Sequence, residues 1–205
     1  NCILPFALGE FDKRTEFKIS QKLYGRDKDI DVLAGIYKKV SLGAKELVVI
    51  CGPSGIGKSS LASELNKTIV ERNGSFNFGK FDQYKQNEPL HGLIESFRGW
   101  CKQLLLLTSH EMDQWKTRLL EALGANGQLV IDLIPELEMI IGPQQPLPVL
   151  DPIEGKNRFN YTFLNFIKAT AKKENPLVLY LDDIQWADLA SLKMLDVLLR
   201  SDEVE

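Results

Sequence analysis

The sequence predicts an α/β fold built on a parallel sheet, and three observations carry that expectation. Two short runs, residues 46–51 and 176–181, are apolar without alternation, the pattern of strands buried on both faces. The first runs into a glycine-rich turn and then into helically spaced residues, the strand–turn–helix order that opens an α/β domain. Between the two runs, from Leu90 to Thr170, apolar residues recur every three or four positions, so the connection is expected to be helical.

Each element follows in chain order. Residues 1–23 mix Pro5, Gly9 and scattered charges with Phe6, Phe11 and Phe17 and have no clean period. They are expected to be an extended lead-in whose aromatic rings dock elsewhere, ahead of a domain over 24–205. From Asp27 the stripe Ile30, Leu33, Ala34, Tyr37 and Val40 predicts a helix, with Gly43 as its stop. The 46–51 run is the first expected strand, and Leu61, Ala62, Leu65 and Ile69 mark the helix after the turn. Residues 75–81 alternate around Phe76 and Phe78 and predict a second strand.

Leu90, Leu93, Ile94, Phe97, Cys101, Leu104 and Leu105 then predict one helix, and Met112, Trp115, Leu119 and Leu123 the next. Val130, Leu133, Ile134, Leu137 and Ile141 continue the period, but Pro135 should split that stretch in two. Residues 142–152 hold four prolines and read as a loop. Phe159, Phe163, Phe166, Ile167 and Thr170 restore helical spacing, 176–181 is a strand, and Leu189, Leu192, Leu195 and Leu199 form a closing helix.

Composition narrows the function. A chain of 205 residues has room for one ordinary domain, and 44% hydrophobic with 26% charged residues argues against disorder. Lys+Arg 25 against Asp+Glu 28 leaves no basic excess, which speaks against nucleic-acid binding by bulk electrostatics. Apolar runs such as 104–107 fall far short of the ~20 residues of a membrane span. Cys2, Cys51 and Cys101 form no ligand spacing, so reduced thiols and a cytoplasmic location are expected. The sequence starts at Asn1 without a signal-peptide pattern and is read as a piece of a longer polypeptide.

The strongest chemical signal is Gly52, Pro53, Ser54, Gly55, Ile56, Gly57, Lys58 and Ser59, a complete GxxxxGK[ST] followed by Ser60. Glycines let the backbone curl so that successive N–H groups face a phosphate, and the helix that follows adds its positive end. Lys58 can then reach the β- and γ-phosphates, and the Ser59 hydroxyl can ligate Mg²⁺. The second signal is Asp182 and Asp183 at the end of the second apolar run. At the carboxyl edge of a parallel sheet they would face the phosphate loop. Asp182 suits a direct or water-mediated Mg²⁺ ligand, and Asp183 suits the group that orients or deprotonates an attacking water. Lys58 and Asp183 are thus the expected catalytic pair, with a nucleoside triphosphate and Mg²⁺ as cofactors; ATP in particular is what the resemblance given next implies. Together these features predict a P-loop three-layer sandwich with a helical insertion, incomplete at its C-terminal side.

These residues resemble a family. Tyr24, Gly25 and Arg26, then GPSGIGKSS, then PLVLYLDDIQWAD look like the AAA-type regulatory ATPases of the STAND class. More narrowly, QKLYGRDKDI, GKFDQY, IPELEMIIG, NRFNYTF and DDIQWADLASLKML resemble the ATPase module of large bacterial multi-domain signalling proteins. Those proteins join a serine/threonine kinase, this ATPase, a GAF sensor and a histidine kinase. The resemblance implies that Tyr24, Gly25 and Arg26 lie beside the adenine and ribose. It also implies that flanking domains receive the output and leaves a homo-oligomer open. A salt bridge from Arg26 to Asp27 or Asp29 is the plain alternative for that arginine.

Three readings of function follow: an ATP-driven regulatory switch, a nucleotide-binding scaffold without turnover, and a phosphotransferase resembling guanylate kinase. The paired acids disfavour the last. Asp188 reads as a helix cap, Gln185 and Trp186 as candidates to relay nucleotide state, and Asn157 and Arg158 as a solvated helix face. Asp82 is a weaker candidate near Mg²⁺, and His91 and His110 lack further ligands nearby.

Overall fold

The computed structural model describes residues 25–72, 74–172 and 175–200. Helix α1 (Asp27–Val40) buries Leu33 and Tyr37, with Asp27 and Asp29 in its first turn and Lys38 and Lys39 in its last, as its dipole favours. Gly43, at φ +97°, ends it as expected. Helix α2 (Lys58–Glu71) buries Leu61, Ala62 and Ile69. Strand β1 (Ser75–Lys80) and helix α3 (His91–Leu104) come next.

Helix α4 (Ser109–Leu123) starts from a capping box in which Thr108 and Glu111 satisfy each other's backbone N–H groups. A single 3₁₀ turn leads to α5 (Gly127–Ile131). Pro135 breaks the next stretch as predicted, opening a 3₁₀ turn (Pro135–Leu137) before α6 (Glu138–Ile141). Helix α7 (Pro152–Thr170) begins a turn and more before the first predicted apolar marker. Asp151 accepts hydrogen bonds from the backbone N–H of Ile153 and Glu154, and Pro152 sits in the first turn, where its missing N–H costs nothing. Strand β2 (Leu177–Asp182) and α8 (Leu189–Arg200) are the last elements among the described residues.

The core lies among the helices of the insertion and against one face of the sheet. Phe97, Trp100, Phe163 and Phe166 are all but fully buried; Phe97 meets the other three edge to face, its centroid 5.1 Å from that of Phe166, while Phe163 and Phe166 stack. Arg118 on α4 donates through Nε to the Ala169 carbonyl at 2.6 Å and through Nη2 to the Ala171 carbonyl at 2.8 Å. It thereby satisfies and neutralises the C-terminal end of α7.

Among the described residues the sheet has two parallel strands, paired from Ser75↔Leu177 to Lys80↔Asp182. Leu177, Leu179 and Leu181 turn one face into the core. Gly79 on that face comes so near α3 that a Cβ there would lie 2.0 Å from the Gly92 carbonyl oxygen. Phe76, Phe78, Val178, Tyr180 and Asp182 alternate onto the other face.

One expectation fails. Residues 46–51 form no strand, and Leu47 (66% exposed) and Val49 (68%) face solvent instead of a core. Apolar composition makes a strand only where a neighbour offers ladder hydrogen bonds, and β1 and β2 pair with each other. Cys51, expected to be buried, is exposed for the same reason. Cys101 is buried, and burial pushes its thiol up to about 12, helped by Glu136. Of residues 104–107, Leu104 is buried but Leu106 is 86% exposed. The lead-in of 1–23 and Tyr24 lie outside the described residues. No helix among the described residues is long and apolar enough to cross a membrane.

Candidate nucleotide-binding site

The loop before α2 curls as its glycines allow. Gly55 and Gly57 take φ +81° and +93°, and Gly57 is the residue from which α2 starts. That backbone leaves the first N–H groups of α2 unpaired within the helix and aimed outward, a ready anion site. Lys58 Nζ bonds to the Gly52 carbonyl at 3.0 Å and the Pro53 carbonyl at 3.1 Å, so its charge lies over the loop itself. Pro53, Ser54 and Ile56 form the exposed crest, Ile56 N–H closing a turn on the Pro53 carbonyl at 3.4 Å. Ser60 is exposed on the first turn of α2.

Arg26 makes the salt bridge named as its plain alternative, and one further contact. Its Nη1 pairs with Asp29 at 2.9 Å, and its Nη2 donates to the Ile56 carbonyl at 3.3 Å. It therefore ties the start of α1 to the crest of the loop. Beside that contact a small pocket is lined by Arg26, Ile50, Cys51, Ile56, Gly57, Lys58 and Leu61. Gly25, at φ +73°, gives the chain its turn into α1.

The two acids have separate surroundings. Ser59 Oγ donates to Asp182 Oδ2 at 3.4 Å, joining the start of α2 to the end of β2 across 123 positions of sequence. Asp182 Oδ1 accepts the Asp183 N–H at 3.0 Å. Asp183 adopts a left-handed backbone (φ +54°, ψ +42°), uncommon without glycine. Its carboxylate is held by Gln185 Nε2 at 3.0 Å and by Lys80 Nζ at 3.6 Å. A hydroxyl and a carboxylate together at a helix start are hard oxygen donors, which suits Mg²⁺ rather than a soft metal.

Two residues here escaped the sequence. Lys80 ends the strand parallel to β2, level with Asp182, a register that pattern does not reveal. Tyr180 lies two positions before Asp182 on the same face of β2. Burial raises its hydroxyl above the usual tyrosine value, the Ser59 hydroxyl opposes this, and the Asp182 and Asp183 charges add to the rise. Alternation of side chains along the strand was the available signal.

The remaining candidates have local duties. Asp188 accepts from the Ser191 N–H at 2.9 Å, the Ser191 hydroxyl and the Leu90 N–H at 3.1 Å. Burial opposes its ionisation, yet these bonds hold its pKa below the usual value. Asp82 accepts the Tyr84 N–H at 2.9 Å in a turn of its own. Arg158 Nη2 donates to the Pro148 carbonyl at 3.1 Å, bracing the proline-rich loop, while Asn157 is exposed. His91 pairs with Glu88 at 3.1 Å, and among the described residues no three metal-binding side chains cluster.

A curled phosphate loop facing two acids at the end of a parallel strand defines a P-loop nucleotide-binding protein. The chain matches the AAA ATPase domain over residues 22–205 and belongs to that family. It is 36% identical over 201 residues to the hybrid signal transduction histidine kinase G of Dictyostelium discoideum. The match covers 97% of this chain and 6% of the length of that relative. No solved structure matches it.

Proposed function

We propose that the chain is a regulatory ATP-binding module of a larger signal-transduction protein, hydrolysing ATP as a conformational switch read by flanking domains. The observation that carries this reading is the Ser59–Asp182 contact, which puts the phosphate loop and the acidic strand end at one place. Lys58 would leave the Gly52 and Pro53 carbonyls for the β- and γ-phosphates. Ser59 and Asp182 would hold Mg²⁺, which when bound neutralises charge on those phosphates. Asp183 would orient the attacking water, and the side formed by Tyr24, Gly25 and Arg26 would meet the adenine and ribose. The three-layer sandwich predicted from the sequence belongs to this proposal, as does the signalling role, which rests on the histidine kinase relative.

Titration with fluorescent ATP and GTP analogues, with and without Mg²⁺, tests it. ATP binding that strengthens with Mg²⁺ and resists competition by GTP is expected, and equal competition would overturn the adenine assignment. A second reading, a scaffold that binds without turnover, is favoured by one observation: the carboxylate of Asp183 is engaged by Lys80 and Gln185. Phosphate release from the intact protein separates the two.

A further inference from the structure

Lys80 is a cation that the fold delivers to the phosphate loop from a second direction. It ends β1 level with Asp182, and the N–H of Phe81 after it donates to the Asp182 carbonyl at 3.1 Å. Its own N–H donates the other way, to Glu95 Oε2 on α3 at 3.0 Å. The backbone of Lys80 is thus pinned between β2 and α3. Asp182 in turn meets the Ser59 hydroxyl at 3.4 Å, which sets this end of the sheet beside the loop. Lys58 comes to that place from the loop, and Lys80 comes to it from the sheet.

The pinned backbone carries an exchangeable side chain. The Lys80 ammonium lies 3.6 Å from Asp183 Oδ2, with Lys80 exposed and Asp183 partly so. Gln185 Nε2 holds Oδ1 at 3.0 Å, so both oxygens of Asp183 are engaged. The two holds differ in kind. The amide sits two residues along the same turn, whereas the ammonium reaches over from the neighbouring strand on a flexible stem. A solvent-exposed pair of this length is worth little, because water screens it and both side chains lose freedom in keeping it. A phosphate oxygen makes a stronger charge-assisted contact with the same ammonium, so it can displace the carboxylate.

We propose that Lys80 is the residue by which the site tells a nucleoside triphosphate from a diphosphate. It rests on Asp183 until the terminal phosphate arrives, then turns to that phosphate and leaves Asp183 Oδ2 to the attacking water. A diphosphate offers no terminal phosphate, so Lys80 stays on Asp183. Lys80 makes and breaks no covalent bond. This rests on the reading of the loop and the two acids as a triphosphate site.

The test uses the intact protein and a fluorescent ATP analogue, displaced by unlabelled ATP or ADP in Mg²⁺. The parent should bind ATP more tightly than ADP. Lys80→Met keeps the length of the stem and removes the charge. It should cut that preference roughly fivefold by weakening ATP, with ADP affinity as in the parent. Lys80→Arg keeps a cation on a long stem and should retain most of the preference. A Lys80→Met protein with the parental ratio of ATP to ADP affinity overturns the proposal. So does an equal loss for both nucleotides, which would mark Lys80 as a support of the strand end. A parent that binds ATP and ADP alike refutes the discrimination and leaves the nucleotide site standing. A parent that binds neither refutes the site, and the role of Lys80 with it.

Discussion

Replacing Gly79 with alanine puts a methyl group where the backbone of α3 already stands. The added Cβ would lie 2.0 Å from the Gly92 carbonyl oxygen, 3.0 Å from its carbon and 3.2 Å from a Leu181 methyl. Carbon–oxygen contacts settle at about 3.3 Å, so strand and helix must separate by about 1.3 Å. Neither can yield easily. Strand β1 is paired along its length to β2, and α3 carries Leu93, Phe97 and Trp100 into the core. Overpacking of this kind costs about 3 kcal/mol, the upper part of the usual range, because the collision is with backbone rather than a movable side chain. In a domain of this size that lowers the melting temperature by roughly 6–12 °C. Thermal unfolding followed by circular dichroism measures it. A melting temperature within about 2 °C of the parent would show that the close approach of β1 and α3 is not a constraint.

Other expectations concern the site. Lys58→Ala should weaken ATP binding by about 2 kcal/mol or more, the size of a charge-assisted hydrogen bond to phosphate, and unchanged affinity in a titration would remove the loop from the site. Asp183→Asn should preserve ATP binding while phosphate release from the intact protein stops; parental turnover would favour the scaffold. Arg26→Ala should weaken ATP more than inorganic triphosphate, since its proposed contact is to the nucleoside side. Asp188 has a lowered folded pKa, so the stability it adds is complete above its unfolded value of about 3.9 and is lost as pH falls through the folded one. Asp188→Ala should therefore reduce stability at neutral pH by about 1 kcal/mol, and its denaturation midpoint should approach the parent's in strong acid.

Much of this molecule was legible because its signals are local. Periodicity marked α3, α4, α7 and α8, and Pro135 marked the break between α5 and α6. The phosphate loop was legible because glycine, lysine and serine each meet a separate requirement within a few residues. What failed depended on partners. Leu47, Val48 and Val49 have strand composition, but composition cannot say whether a ladder is on offer. Lys80 and Tyr180 were missed for a related reason. Each gains meaning only from register: Lys80 from lying level with Asp182 across the sheet, and Tyr180 from sharing a face with it.

The short turn after the two acids gives the protein an optical readout of its own. Of its three tryptophans, Trp100 and Trp115 are buried in the core, whereas Trp186 is 37% exposed. Trp186 donates its backbone N–H to the Asp183 carbonyl at 2.9 Å, within the 3₁₀ turn Ile184–Trp186. Two residues later Asp188 is anchored to both Leu90 and Ser191, so displacement of Asp183 meets resistance at the start of α8. The turn between these fixed points must absorb it, and the indole rides on that turn. Iodide quenching of the unlabelled protein would then sense events at Asp183 against two shielded emitters that stay constant.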